Sequence, residues 1–154
     1  MKDPKQLIKS QKSFFETGKT RDISFIKGKL RRLKESIITN EDTIHQALYK
    51  DFKKPKFEAY ISEFGILISE IDIVLNNLSK WSKPKKVRAS KLNFPSKDYI
   101  YSEPYGTVLV IAPWNYPFQL AISPVISAIA AGNTVVLKPS EVSSHTAVII
   151  KIIF

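Results

Sequence analysis

Residues 1–81 carry apolar side chains at intervals of three and four positions, which is the period of an α-helix. This pattern predicts four helices, and the first begins at Asp3-Pro4 with an aspartate cap and a proline in its first turn. The faces expected to turn inward are Leu7, Ile8, Phe14 and Phe15 in the first helix, Ile26, Leu30, Leu33 and Ile37 in the second, Ile44, Ala47 and Leu48 in the third, and Tyr60, Phe64, Leu67, Ile71, Leu75 and Leu78 in the fourth. Such stripes are typical of packed helix faces rather than of a cofactor site.

The pattern changes after residue 81. Residues 82–97 replace the helical period with Pro84, Pro95 and many cations, so we expect a linker or an exposed extended arm there. The run DYIYSE that follows has the composition of a strand, and PYG over 104–106 predicts a turn.

Two continuous apolar runs, TVLVI and NTVVLKP, are typical of strands that are buried on both faces of a parallel sheet. Between them, FQLAISPVISAIAA predicts a buried helix that opens at Pro117, is kinked or irregular because of Pro124 and closes at Gly132. Ser143 or Ser144 begins a further helix. The order β-α-β-α predicts an α/β protein in which N-terminal helices precede the start of a parallel sheet with helical crossovers.

Two strands with two crossover helices cover a parallel sheet poorly. In the final run, the residues expected to have too few partners are Val148, Ile149, Ile150, Ile152, Ile153 and Phe154. We therefore expect the sequence to be the N-terminal part of a larger protein.

The charge of the chain is distributed unevenly. The 154 residues have a net charge of +10, and residues 1–97 hold 22 of the 24 Lys and Arg residues but only 11 of the 14 Asp and Glu residues. One interpretation of this basic segment is attraction to nucleic acid or to an anionic surface. The other is a solvated, lysine-rich helical surface, which is favoured because lysines outnumber arginines 20 to 4 and no arginine–aromatic cluster is present.

The composition excludes several kinds of chemistry. The chain has no cysteine, and therefore no disulfide, no thiolate metal site and no cysteine nucleophile. Its two histidines, His45 and His145, are isolated in the sequence, so no metal site is predicted, and His45 is expected at the surface or at an edge. No apolar run has the length of a secretory signal or a membrane span, and a cytoplasmic location is expected.

The stretch IAPWNYPF, residues 111–118, stands where a nucleotide-binding α/β protein usually has a glycine-rich loop. The side-chain amide of Asn115 is an uncharged N–H donor that suits an oxygen becoming negative during a reaction, and Trp114 would stiffen the loop around it. Lys138 and Glu141 follow the second strand, where ligands of open α/β sheets bind. The alternative is that Asn115 is a turn residue and that Lys-Pro-Ser-Glu is a plain loop with a helix cap.

EPYGTVLVIAPWNYPF, followed by AIAAGNTVVLKPSE, closely resembles the aldehyde dehydrogenase superfamily. The upstream helices and DYIYSEP resemble its class 3-like branch, which acts on fatty and aromatic aldehydes. The resemblance covers essentially the whole chain and implies an atypical Rossmann-like sheet that lacks the usual glycine fingerprint. It also implies three segments: N-terminal helices over 1–81, a basic linker and β-arm of the oligomerisation region over 82–106, and the first βαβα part of the NAD(P)-binding domain over 107–154.

The resemblance also implies a role for each candidate residue. Asn115 would donate its amide N–H to the oxyanion formed from the aldehyde. Lys138 and Glu141 would hold the hydroxyls of the adenosine ribose, and because a carboxylate disfavours a 2′-phosphate, NAD is the expected cofactor with NADP as the alternative. The implied cofactor-binding residues are Ile111, Ala112, Trp114, Lys138, Ser140 and Glu141. The expected partners are an aldehyde substrate and, for the full-length parent, a second copy in a homodimer, without nucleic acid.

The chemistry of the family needs a cysteine thiolate to attack the aldehyde and a glutamate to activate the water that hydrolyses the thioester. The resemblance implies that both lie further along than Phe154. We therefore expect a truncated fragment of an NAD(P)-dependent aldehyde dehydrogenase that is inactive alone. The alternatives are a non-catalytic remnant that serves as an interaction module, and a basic nucleic-acid-binding protein.

Overall fold

Residues 3–154, which the computed structural model describes, form seven α-helices and four short β-strands. The helices are α1 (Pro4–Glu16), α2 (Ile23–Thr39), α3 (Glu41–Phe52), α4 (Lys56–Ala59), α5 (Gly65–Trp81), α6 (Gln119–Ala130) and α7 (Ser144–Ile153). The strands are β1 (Lys85–Val87), β2 (Asp98–Ile100), β3 (Thr107–Ile111) and β4 (Thr134–Lys138). Over these described residues, no helix is both long enough and apolar enough to cross a membrane. The α/β class predicted from the sequence is confirmed.

Helices α2 and α3 bury the faces that their apolar spacing predicts. All the expected positions of both helices are buried. Helix α5 packs against α2 and also against α6, so the helical part and the sheet part share one hydrophobic core. Helix α1 lies against β3 and β4 with no fully buried residue, and the expected inward face is wrong at Ile8 and Phe14, which are exposed. Two five-residue strands offer little surface to a helix of 13 residues.

The start of the long helix after Pro55 differs from the prediction. The expected stripe begins with Tyr60, which is 47% exposed, whereas Ala59 and Glu63 are fully buried. A π-helical turn over Tyr60–Phe64 joins α4 to α5. Because such a turn closes its hydrogen bonds over five residues rather than four, it rotates the side chains before it relative to those after it. From Phe64 onward the predicted stripe is buried or half-buried.

The prediction that His45 lies at the surface or at an edge is wrong. Its side chain is 5% exposed, and its ring packs against Phe64 with 5.8 Å between the ring centroids. Helix α3 is covered by both α4 and α7, so its buried face is wide enough to include His45 beside Ile44.

Strands β3 and β4 form the predicted parallel pair, with Thr107 beside Thr134 at one end and Ile111 beside Lys138 at the other. Helix α6 makes the crossover and packs on both strands. It begins at Gln119, two residues after the predicted start, and contains Pro124 within its length.

The expectation that these strands are buried on both faces is wrong within this chain. Leu109 and Ile111 are 62% and 66% exposed. They share one face because alternate residues of a strand point the same way. Helix α1 contacts the other end of this face, where the hydroxyl of Thr134 donates a hydrogen bond of 3.3 Å to the carbonyl oxygen of Gln11, and leaves Leu109 and Ile111 largely uncovered. In α7, Ile149, Ile150 and Ile153 are buried, so the expectation of too few partners is wrong for these three. Three other apolar residues at this end stay exposed, namely Val148, Ile152 and Phe154.

Residues 85–100 form a short antiparallel ribbon in which β1 pairs with β2 and Lys85 lies opposite Ile100. A 3₁₀ turn, Lys91–Asn93, lies between the two strands. Leu92 and Phe94 are 96% and 87% exposed, so this ribbon presents apolar side chains to its surroundings.

Candidate functional site

Two loops leave the parallel sheet at the same edge. Ile111 and Lys138, the last residues of β3 and β4, are paired in register, and the backbone N–H of Ala112 donates a hydrogen bond of 3.0 Å to the carbonyl oxygen of Lys138. The loops over 112–118 and 139–143 therefore start side by side, at the carboxyl ends of parallel strands where ligands of open α/β sheets bind. The two groups of candidate residues predicted from the sequence meet at this edge.

The first loop leaves Asn115 accessible, and side chains outside the loop contact the residues on either side of it. Asn115 itself is exposed. The indole of Trp114 stacks on the ring of Phe52, with 6.4 Å between centroids and 30° between planes. The ammonium of Lys54 lies 4.5 Å from the ring centroid of Tyr116, a cation–π contact. The amide of Asn115 is thus an accessible donor on a braced loop.

A buried glutamate holds the far end of this loop. Oε2 of Glu63 accepts hydrogen bonds from the backbone N–H groups of Phe118 at 2.9 Å and Gln119 at 3.2 Å, and Oε1 forms an ion pair with Lys54. Glu63 is fully buried and Lys54 is 8% exposed. Helix α6 has Phe118 at its N-cap position and no capping side chain of its own. The carboxylate of Glu63 therefore supplies the acceptor that the first N–H groups of the helix need.

Sequence reasoning missed Glu63, although a signal was present. Glu63 is four residues from both Ala59 and Leu67, on a stripe of buried positions where a carboxylate is costly unless it is paired. Lys54 had no comparable signal, because it lies between helices in a run rich in lysine.

The second loop is a compact turn built on Ser140, which is 8% exposed. Its Oγ accepts a hydrogen bond from the N–H of Val142 at 3.2 Å, and its carbonyl oxygen accepts one from the hydroxyl of Ser143 at 3.4 Å. On the exposed side, Nζ of Lys138 lies 2.6 Å from Oε2 of Glu141. The hydrogen bond from Lys138 holds the pKa of Glu141 below its usual range. The turn therefore presents a cationic donor and an ionised carboxylate side by side.

Asp51, near the end of α3, fixes the far end of the second loop. Its Oδ1 accepts a hydrogen bond from the backbone N–H of His145 at 3.1 Å, and its Oδ2 accepts one from the N–H of Thr146 at 2.8 Å. Nδ1 of His145 also lies 2.8 Å from Oδ1, so this histidine, which is isolated in the sequence, has a carboxylate partner in the fold. Burial raises the pKa of Asp51, but the hydrogen bonds from Thr146 and His145 outweigh burial and leave this pKa below its usual range.

Two further observations on the described residues do not point to a site elsewhere. A cavity of about 530 Å³ is lined by residues that include Pro104 and Gly132, which precede β3 and β4, so it lies at the opposite edge of the sheet. Among residues 3–154, no cluster of three or more His, Asp or Glu side chains is arranged to hold a metal ion. The candidate site is therefore the edge from which the two loops leave.

Comparison with known proteins places the chain in a single family. The model of the aldehyde dehydrogenase family matches residues 2–154. The chain is 49% identical over 146 residues to 4,4'-diaponeurosporen-aldehyde dehydrogenase of Staphylococcus aureus (strain NCTC 8325 / PS 47), which covers 95% of this chain and 32% of that protein. It is 40% identical over 138 residues to aldehyde dehydrogenase family 3 member F1 of Arabidopsis thaliana, which covers 90% of this chain and 28% of that protein.

A solved structure shows the same fold. The substrate-bound state of Staphylococcus aureus AldH superimposes on this chain with a TM-score of 0.97 and 47% sequence identity, over 100% of this chain and 34% of that one. The fold expected from the sequence motifs and the resemblance to the class 3-like branch are both confirmed. The chain spans about a third of the length of the curated relatives it matches.

Proposed function

Because this chain belongs to the aldehyde dehydrogenase family, we propose that the intact protein carrying it oxidises an aldehyde to a carboxylic acid with NAD or NADP as hydride acceptor. The observation that carries the proposal is the meeting of the Asn115 loop and the Lys138–Glu141 pair at one edge of the sheet. The first group faces the reacting oxygen and the second faces the cofactor. The attacking thiolate comes from outside these 154 residues, because they contain no cysteine.

Asn115 is the residue of this chain that acts on the substrate. When a thiolate adds to the aldehyde carbonyl, the carbonyl oxygen becomes negative, and the amide N–H of Asn115 donates a hydrogen bond to it. The loop is braced on both sides of Asn115, by the contact of Trp114 with Phe52 and by the contact of Tyr116 with Lys54. A donor that is held in place beforehand needs no reorganisation during the reaction, and this is why such donors lower the barrier.

The second loop and the end of β3 fit a dinucleotide. When bound, the nicotinamide supplies the hydride acceptor, and the residues of this chain bind and orient the cofactor. Lys138 donates hydrogen bonds and Glu141 accepts them, which matches two neighbouring ribose hydroxyls that can each do both. Ile111 and Trp114 are 66% and 55% exposed and offer an apolar wall beside the backbone of Ala112.

The charge of Glu141 favours NAD over NADP. Like any exposed glutamate, Glu141 is ionised at neutral pH, the hydrogen bond from Lys138 lowers its pKa further, and its negative charge repels a 2′-phosphate. Ser140 contributes by holding the turn that aims both side chains.

The substrate class and the partner belong to the same proposal. We propose a fatty or aromatic aldehyde, in line with the class 3-like branch that this chain resembles. The exposed apolar side chains of the ribbon, among them Leu92 and Phe94, support its contact with a second copy of the intact protein in a homodimer.

The test is to incubate the intact protein with hexanal, decanal or benzaldehyde, each with NAD and with NADP, and to follow reduced cofactor by absorbance. We expect reduced cofactor and carboxylic acid in equal amounts. Protein treated with a thiol-alkylating reagent is the control and should show no turnover, because the nucleophile is a thiolate. Absence of aldehyde-dependent reduction with all three aldehydes and both cofactors would contradict the proposal.

A further inference from the structure

The loop that carries Asn115 is anchored at both ends by groups outside it. Before Asn115, the N–H of Ala112 is bonded to the carbonyl oxygen of Lys138 at 3.0 Å. After Asn115, the N–H of Phe118 is bonded to Oε2 of Glu63 at 2.9 Å. Each anchor is three residues from Asn115, so its amide lies at the centre of a short span with fixed ends.

The second anchor depends on a buried ion pair. Glu63 is fully buried and Lys54, its partner, is 8% exposed. The ammonium of Lys54 also lies 4.5 Å from the ring centroid of Tyr116. The pair therefore holds the loop at two points, the backbone of Phe118 through the carboxylate and the ring of Tyr116 through the ammonium.

Stability alone is a weak reason for this pair. Two buried charges lose their hydration, and apolar side chains of similar size in their place are often neutral or stabilising. An apolar residue at position 63 would extend the buried stripe that runs from Ala59 to Leu67. What it would not do is accept the hydrogen bonds of Phe118 and Gln119 at the start of α6.

We propose that Glu63, neutralised by Lys54, is a positioning residue that sets the place of the Asn115 amide relative to the reacting oxygen. It touches neither substrate nor cofactor and acts through the backbone of the loop. This inference rests on the proposed function, because it takes Asn115 as the donor to the oxyanion. A displacement of about 1 Å can cost about 10²-fold in rate, so the anchor governs turnover.

The test compares two double variants of the intact protein in which residues 54 and 63 are both uncharged; each is called a pair below. Lys54→Met/Glu63→Gln keeps an amide oxygen that can accept the N–H of Phe118, whereas Lys54→Met/Glu63→Met has a similar shape and no such acceptor. Both avoid the unpaired buried charge that a single replacement would leave. We expect kcat of the Glu63→Met pair to be about 10- to 100-fold below that of the Glu63→Gln pair, with KM for the aldehyde nearly the same.

Repeating both pairs with Asn115→Ala separates positioning from a general weakening of the fold. If Glu63 acts through Asn115, the difference in kcat between the pairs shrinks to within about twofold, because residues that act as a unit give non-additive effects. Equal turnover of the two pairs, or a difference of the same size with and without Asn115, overturns the inference. Intact turnover in Asn115→Ala alone instead overturns the proposed role of Asn115, and the inference with it.

If the Lys54→Met/Glu63→Met variant does not fold, the Lys54→Met/Glu63→Gln variant can still be compared with the unsubstituted protein. Neutral hydrogen bonds are weaker than charge-assisted ones, so kcat should be lower in the Glu63→Gln pair. That loss should disappear in the Asn115→Ala background. A loss that persists there, or no loss at all, contradicts the inference.

Discussion

Asp51 and Thr146 are 95 positions apart in the chain and are joined by two hydrogen bonds, because Oδ2 of Asp51 accepts both the backbone N–H of Thr146 at 2.8 Å and its hydroxyl at 2.7 Å. Thr146 lies in the first turn of α7, where helical N–H groups have no partner within the helix. Ser143, at the N-cap position, makes no capping hydrogen bond with its side chain. The cap comes from α3, which ties the loop of Lys138 and Glu141 to the helical part of the molecule.

Removing this cap should destabilise the protein. Asp51→Ala leaves the N–H groups of His145 and Thr146 without their acceptor, and we expect a loss of about 1–2 kcal/mol in the free energy of unfolding. The measurement is urea unfolding of the intact protein. Glu35→Ala, which removes an exposed carboxylate from α2, is the matched control and should change stability by less than about 0.5 kcal/mol. Equal effects of the two substitutions would show that the cap contributes nothing specific.

The same carboxylate should make stability depend on pH. The pKa of Asp51 is lower in the folded protein than in the unfolded chain, so the unfolded state binds more protons between these two values. The contribution of Asp51 is therefore complete above about pH 4 and is lost as the pH falls through the folded-state pKa. Urea unfolding of the unsubstituted protein and of Asp51→Asn should give stabilities that differ at neutral pH and converge in acid. A gap that stays constant down to about pH 3 would contradict the assignment.

Asn115→Ala should lower the turnover of the intact enzyme by roughly 10²–10³-fold, the usual cost of one oxyanion donor. The affinity for the cofactor should change little, because the amide serves the reacting oxygen. Steady-state kinetics with a cofactor titration check both points. Asn76→Ala, at an exposed position of α5, provides the control with normal turnover. Unchanged turnover in Asn115→Ala would mean that Asn115 is only a turn residue.

Glu141→Gln should shift the cofactor preference towards NADP. The substitution removes the carboxylate that repels a 2′-phosphate, and we expect the ratio of NADP to NAD affinity to rise roughly three- to tenfold. Binding titrations of the intact protein with each cofactor measure this ratio. Glu103→Gln, an exposed position before β3, is the control for a general change in charge. A ratio that is the same in both variants would indicate that Glu141 serves only the turn.

Residues 1–154 expressed alone should not oxidise aldehydes, because they supply no thiolate. They should also self-associate, since the apolar side chains of Leu109, Ile111 and Ile152 are all more than 60% exposed. Assays of aldehyde-dependent NADH formation and sedimentation at several concentrations test the two expectations. Leu109→Lys/Ile152→Lys should reduce the association. A monomer at all concentrations, or measurable turnover, would contradict the respective expectation.

The sequence alone determined the features that depend on neighbours along the chain. The buried faces of α2 and α3 follow from a spacing of three and four residues, and β3 and β4 follow from continuous apolar runs. The motifs around Asn115 and from Lys138 to Glu141 pointed to the family, and each follows a predicted strand in the sequence, the second at the strand end where ligands of open α/β sheets bind.

Only the tertiary structure decided what holds the two loops in place. Glu63 and Phe118 are 55 residues apart, and Asp51 and Thr146 are 95 apart, so neither cap is visible in a local pattern. Each depends on which helix end is packed beside which carboxylate, and the π-helical turn that buries Glu63 shifted the predicted stripe as well. Local spacing determines which face of an element is apolar, whereas the partner of a helix terminus is determined by the packing of whole elements against one another.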